Sequence, residues 1–166
     1  IQHGVKEPEA WKKTASQAKP KMMDSFKALF TEEYRMRTII NSALFTVSII
    51  GLWSGSVYVP LAVTQLAVKE GHTAKEAAQF ASYGGAVLAV ATIIGCLAAP
   101  KLAEVLGRAK AMGLYFISLG AAVLVAFGYV FYQEAPLTEF FVMIVLLGFG
   151  GANFALYTLW LPEQYG

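Results

Sequence analysis

Chemistry in this sequence, if it does any, falls to polar side chains embedded in long apolar runs. Trp53, Tyr58 and Gln65 lie within Thr38 to Val68, and Asn153 and Tyr157 within Phe140 to Pro162. Neither run contains Asp, Glu, Lys or Arg. An indole, two phenols and two amides supply hydrogen-bond donors and acceptors without charge, a set suited to a sugar or other neutral metabolite. Depth separates Trp53 and Asn153 from interfacial anchors, while Tyr58 and Gln65 lie higher on the first run. Trp53 stands at the centre of its run, where an aromatic belt does not reach, and its N–H needs a partner there. Asn153 is also near mid-run, and a buried amide in lipid is costly unless it faces protein or water. Tyr157 follows one turn later on the same helical face. Two readings remain open for this set: the wall of a solute cavity, or polar contacts that pack helix on helix.

Other chemistries find no support. His3 and His72 are far apart in polar segments, and Cys96 is the single cysteine, so neither a disulfide within the chain nor a metal centre is expected. No paired carboxylates and no Ser/His arrangement are legible. An enzyme is therefore not expected, nor a cofactor, nor a nucleic-acid partner.

The elements that position these residues follow from composition. Charged residues make up 14% of the chain, against roughly 25% in soluble domains, and they avoid four stretches. Thr38–Val68, Ala77–Pro100, Ala111–Gln133 and Phe140–Pro162 are free of them, and each exceeds the roughly 20 residues that cross a bilayer as helix. Lipid leaves a backbone no partner but itself, which selects helices. The alternation of a β-barrel strand is absent. The fold class expected is an all-α polytopic membrane protein with four transmembrane helices, spanning about 38–68, 77–100, 111–133 and 139–162.

Residues 1–36 read as a cytoplasmic linker that ends in an amphipathic interfacial helix, with Met22, Phe26, Leu29 and Phe30 on one face; residues 37–166 hold the membrane region. Eight Lys and Arg precede the first span, and Lys101, Arg108 and Lys110 lie between the second and third. The opposite side carries only Lys69 and Lys75. The positive-inside bias places both termini in the cytoplasm.

Local signals refine the spans. Gly51 and Gly55 form a GxxxG pair. Pro60 lacks an N–H and is expected to kink the first span. Thr73 and Glu76 spell a capping box for the second, which Pro100 is expected to close. Gly84, Gly85 and Gly95 point to tight packing. The third span carries Gly113, Gly120 and Gly128 and is expected to face lipid most. Thr138 is the expected N-cap of the fourth, with Leu137 and Val142 as its staple. Gly148, Gly150 and Gly151 are expected to make its middle thin and flexible, and Pro162 to end it.

The loop between spans two and three is the most informative segment. It reads Pro100-Lys101-Leu102-Ala103-Glu104-Val105-Leu106-Gly107-Arg108-Ala109-Lys110. Gly107 permits a tight reversal, and Arg108 can pair with Glu104 or bind carbonyls at a helix end. This segment resembles the G-x-L-A-D-[RK]-x-G-R-[RK] signature of the major facilitator superfamily. Leu102, Ala103, Gly107 and Arg108 match, Glu104 replaces Asp, Pro100 replaces the first Gly, and Val105 and Ala109 replace basic positions. Such erosion is typical of the second-half copy. Val5–Trp11 resembles the start of that family's central cytoplasmic loop, and Leu161–Gly166 is similar to its Pro-Glu segment after helix ten.

The resemblance implies helices seven to ten of a twelve-helix secondary transporter, a metabolite or sugar porter or symporter in the plasma (inner) membrane. The remaining half of the transporter, the lipid bilayer and a small-molecule substrate would be its partners. It implies that spans one and four line the cavity. It also implies that Glu104, Gly107 and Arg108 belong to a conformational latch, against the simpler reading of a positively charged hairpin with an incidental ion pair. The alternative function is a complete four-helix membrane protein that acts as a scaffold or subunit.

Overall fold

The computed structural model describes residues 22–165, and within them every side chain but those of Met22, Ser25, Ser54 and Glu163. The linker up to Pro20 and the segment Val5–Trp11 lie outside the described residues. Those residues form an all-α membrane protein: four helices are long and apolar enough to cross a bilayer, with no strand among them.

Residues up to Asn41 form one unit and those from Ser42 onward another. In the first, α1 (Met22–Ala28) is followed by a turn into the start of α2 (Arg35–Lys69). The turn is held by side chains bonding to backbone. Thr31 Oγ1 donates to the Ala28 carbonyl at 2.7 Å, and Thr38 Oγ1 to the Leu29 carbonyl at 2.9 Å. Phe26 and Phe30 pair with ring centroids 5.4 Å apart.

In the second unit, α2 runs on through Pro60 to Lys69 without a break. It ends at Gly71, whose φ is +90°. The Gly71 N–H bonds the Val68 carbonyl and the His72 N–H the Ala67 carbonyl. This pair is a Schellman closure, which requires the left-handed conformation that glycine adopts freely.

Helix α3 spans Ala74–Leu106 and opens on the expected capping box. The Thr73 N–H donates to Glu76 Oε2 at 2.8 Å, and the Glu76 N–H to Thr73 Oγ1 at 3.4 Å. It does not stop at Pro100 but continues to Leu106. Proline removes one hydrogen bond, and this helix absorbs that loss. Gly107 alone separates α3 from α4 (Arg108–Val125), at φ +84°.

α4 widens into a π-helical turn at Ala126–Val130. Glu134 closes that end as Gly71 closes α2: the Glu134 N–H bonds the Phe131 carbonyl and the Ala135 N–H the Val130 carbonyl. Here the residue at positive φ, +53°, is not glycine.

The fourth span consists of α5 (Leu137–Gly151) and α6 (Asn153–Tyr165), with a break at Ala152. Three expectations fail in it. Thr138 does not cap the helix; Glu70 does, its Oε1 accepting from the Leu137 N–H at 2.6 Å. Leu137 is buried while Val142 is exposed, so the two form no staple. Pro162 lies inside α6 rather than ending it.

α5 is the centre of the bundle. The most apolar part of the fourth span is 56% buried, against 18%, 22% and 33% for the first, second and third. The first span, not the third, is therefore the most exposed. One cluster joins Val59, Val63 and Leu66 of α2 to Leu119 and Ala122 of α4 and Phe140, Ile144 and Leu147 of α5. The other gathers Ala99, Ala103, Met112, Tyr115, Leu156 and Tyr157 at the opposite end.

Glycine lets the helices approach. A Cβ at Gly51 would stand 3.1 Å from Leu119 Cδ2, and one at Gly55 2.9 Å from Leu147 Cδ2. Gly84 and Gly95 are likewise crowded, but Gly85, Gly113, Gly120 and Gly128 face open space. Gly148 and Gly150 provide close fit rather than flexibility. A Cβ at Gly148 would lie 2.6 Å from the Leu88 carbonyl oxygen, and one at Gly150 2.6 Å from the Leu119 nitrogen.

Tyr115 ties α4 to α3. It is fully buried, stacks on Phe149 at 5.0 Å, and donates its hydroxyl to the Gly95 carbonyl at 2.6 Å. Tyr115→Phe keeps the ring and deletes the hydroxyl. It should lower stability by about 1–2 kcal/mol, measured by unfolding in mixed detergent micelles. No loss would mean that the hydroxyl bond contributes nothing net.

Candidate functional site

The break at Ala152 starts a new helix in the middle of the fourth span. Ala152 has ψ near 4°, and its N–H reaches the Phe149 and Gly150 carbonyls instead of continuing the regular ladder. Asn153 therefore enters as the first residue of α6, with Tyr157 one turn on.

Both meet α2 at Ser48. Asn153 Nδ2 donates to Ser48 Oγ at 3.0 Å, Ser48 Oγ and the Tyr157 hydroxyl are 3.4 Å apart, and Ser48 also donates to the Leu44 carbonyl at 3.0 Å. Asn153 and Ser48 are completely buried and Tyr157 nearly so. Asn153 Oδ1 is buried with no hydrogen-bond partner. An amide oxygen left this way costs about 1–3 kcal/mol. Phe45 and Phe154 flank the cluster, their rings 5.2 and 6.3 Å from that of Tyr157.

The structure thus brings together two of the five expected cavity residues. Trp53, Tyr58 and Gln65 stand elsewhere. Trp53 is 66% exposed and Tyr58 55%, with Gln65 also exposed, on the outward side of α2. Pro60 is on the same helix, which continues through it; the Thr64 hydroxyl donates to the Pro60 carbonyl at 2.9 Å.

Ser48 is the residue the sequence reading missed, and a signal for it existed. Ser48 lies about as far from Thr38 as Asn153 lies from Pro162, roughly 15 Å at 1.5 Å per residue. Antiparallel spans bring such residues to equal depth.

At the end of the bundle near Gly107, a cleft is lined by Pro100, Ala103, Glu104, Arg108 and Leu159. Arg108 Nη1 donates to the Leu159 carbonyl at 3.2 Å, linking α4 to α6. Of the two partners the sequence allows Arg108, this is a helix carbonyl. Glu104 is exposed in the same cleft.

No metal-binding group of His, Cys, Asp or Glu occurs among the described residues. No family model, curated protein or solved structure matches the chain.

Proposed function

We propose that this chain is part of a secondary active transporter of the major facilitator kind, carrying a sugar, organic acid or related metabolite by alternating access. The observation that carries the reading is the unpartnered Asn153 Oδ1 beside the helix break, with Ser48 and Tyr157 in reach. Broken helices near the bilayer midplane are where secondary transporters bind their solutes. The oxygen would accept from a solute hydroxyl or amine, and Tyr157 and Ser48 would complete the polar contact.

Trp53, Tyr58 and Gln65 fit the same reading as a wall that the remaining half of the transporter would cover. An exposed amide and indole on a membrane helix are better matched to protein or water than to lipid. The eleven-to-two Lys and Arg bias supports cytoplasmic termini, and the family resemblance implies a plasma (inner) membrane. A reading frame with about six helices upstream and two downstream is expected on this reading; a frame holding these four helices alone would favour the scaffold alternative.

The direct test is uptake of labelled sugars and small organic acids by the intact protein in proteoliposomes, with and without an imposed proton gradient. Accumulation of one class above empty vesicles is expected. Absence of uptake across the panel, with the protein folded, would count against transport.

Glu104→Gln probes the latch. The residue is exposed, so stability should change by no more than about 0.5 kcal/mol, while uptake kinetics shift severalfold. Unchanged kinetics at normal surface expression would remove the latch from the proposal.

A further inference from the structure

The end of the bundle opposite Gly107 holds a second polar cluster, built on the two loops that join the spans. The Schellman closure at Gly71 sets His72 between two carboxylates. Its Nε2 is 3.7 Å from Glu70 Oε2 and its Nδ1 3.9 Å from Glu76 Oε2. Its ring packs on Phe80 at 4.9 Å.

Both carboxylates already hold a helix start. Glu70 Oε1 accepts from the Leu137 N–H that opens α5, and Glu76 Oε2 accepts from the Thr73 N–H that opens α3. The imidazole thus sits between the acceptors that fix the entry of two different spans. Beside it, Glu70, Phe80, Tyr83, Leu137, Thr138 and Phe141 line an open cleft.

The charged and titratable groups around His72 are few. From its own loop come Glu70 and Lys69, the latter paired with Glu134 of the facing loop. From α3 come Glu76, the exposed Lys75 and, lining the cleft, Tyr83. α5 contributes Leu137, Thr138 and Phe141 to the cleft, none of them titratable.

We propose that Glu70, His72 and Glu76 form a pH-operated clasp that tightens the entry of α5 when His72 takes up a proton. An imidazolium adds positive charge between two carboxylates and draws Glu70 and Glu76 toward one centre. Glu70 then holds the Leu137 N–H more persistently, because its other oxygen is anchored. Loss of the proton leaves a neutral ring and a freer Glu70. Imidazole is the side chain suited to such a change between about pH 5 and 8. The proposal is independent of the transport reading and of which side of the membrane this end faces.

The test is amide hydrogen exchange at Leu137 in the full chain in lipid nanodiscs, expressed as protection relative to the intrinsic rate at each pH. Between pH 8 and 5.5, protection should rise about threefold, the scale of one exposed ion pair, and His72→Gln should abolish the rise. A flat profile in the natural chain, or an equal rise in His72→Gln, overturns the proposal. A second measurement needs no variant: the Leu137 amide resonance should titrate with the same midpoint as the His72 ring carbons. Different midpoints would sever the link between the two.

Discussion

Gly150→Ala and Gly148→Ala should each destabilise the bundle by about 1–3 kcal/mol, the range for overpacking a tight contact. Both positions press against backbone rather than against side chains that could turn away. At Gly150 the added carbon would stand 2.6 Å from the Leu119 nitrogen and 2.7 Å from its Cα. At Gly148 it would meet the Leu88 carbonyl oxygen at 2.6 Å and Ala91 Cβ at 2.8 Å. Relief requires α5 to move away from α4 or α3, and α5 supplies Phe140, Ile144 and Leu147 to the larger cluster. Gly120→Ala is the matched control. Its added carbon meets nothing within 4 Å, so it should be neutral or stabilising by up to about 1 kcal/mol through helix propensity. Denaturant titration in mixed micelles reads all three. Equal effects at Gly120 and Gly150 would mean that the helices do not meet as described.

Asn153→Leu should separate stability from function. The leucine is close in size, deletes one hydrogen bond to Ser48 and removes an orphaned oxygen. The first change costs about 1 kcal/mol and the second returns about 1–3 kcal/mol, so the variant should be as stable as the natural chain or more so. On the transport reading, uptake should fall by at least about tenfold, since a site built around one hydrogen-bond acceptor discriminates through it. Ser48→Ala is the companion variant, which leaves Asn153 Nδ2 unpaired as well and should lower stability. If Asn153→Leu destabilises strongly while transport survives, the cluster is helix glue and nothing more.

How far the candidate site could be read in advance depended on which constraint governed each residue. Depth in the membrane is a one-dimensional property, set by distance along a helix from its ends; it singles out Trp53 and Asn153 alike, and the structure buries Asn153 but leaves Trp53 exposed. Azimuth is different. Which side of α2 faces its neighbours depends on where glycines let other helices approach, and Gly51 and Gly55 turn that side toward Leu119 and Leu147. Trp53, Tyr58 and Gln65 are thereby left on the outside of the bundle. An α2 that is apolar nearly all round holds no pattern from which this choice could be read.

Caps show the same division. The Thr73–Glu76 box is local, three residues apart, and is visible in the sequence. The cap of α5 comes from Glu70 across the bundle, and no spacing rule connects residues so distant in the chain. Pro100 and Pro162 lie inside their helices rather than ending them, because proline weakens a helix by one bond and a clash, which tertiary packing can outweigh.

The sequence by itself determined that this is an all-α membrane chain with four bilayer-length helices among its described residues, because charge-free runs of that length leave the backbone no other way to satisfy its hydrogen bonds in lipid. Only the tertiary structure decided that α5 is central, that the fourth span breaks at Ala152, and that Ser48 joins Asn153 and Tyr157 around an unpaired oxygen. Those outcomes depend on close approach between helices, which is a property of pairs of surfaces and is not written in either one alone.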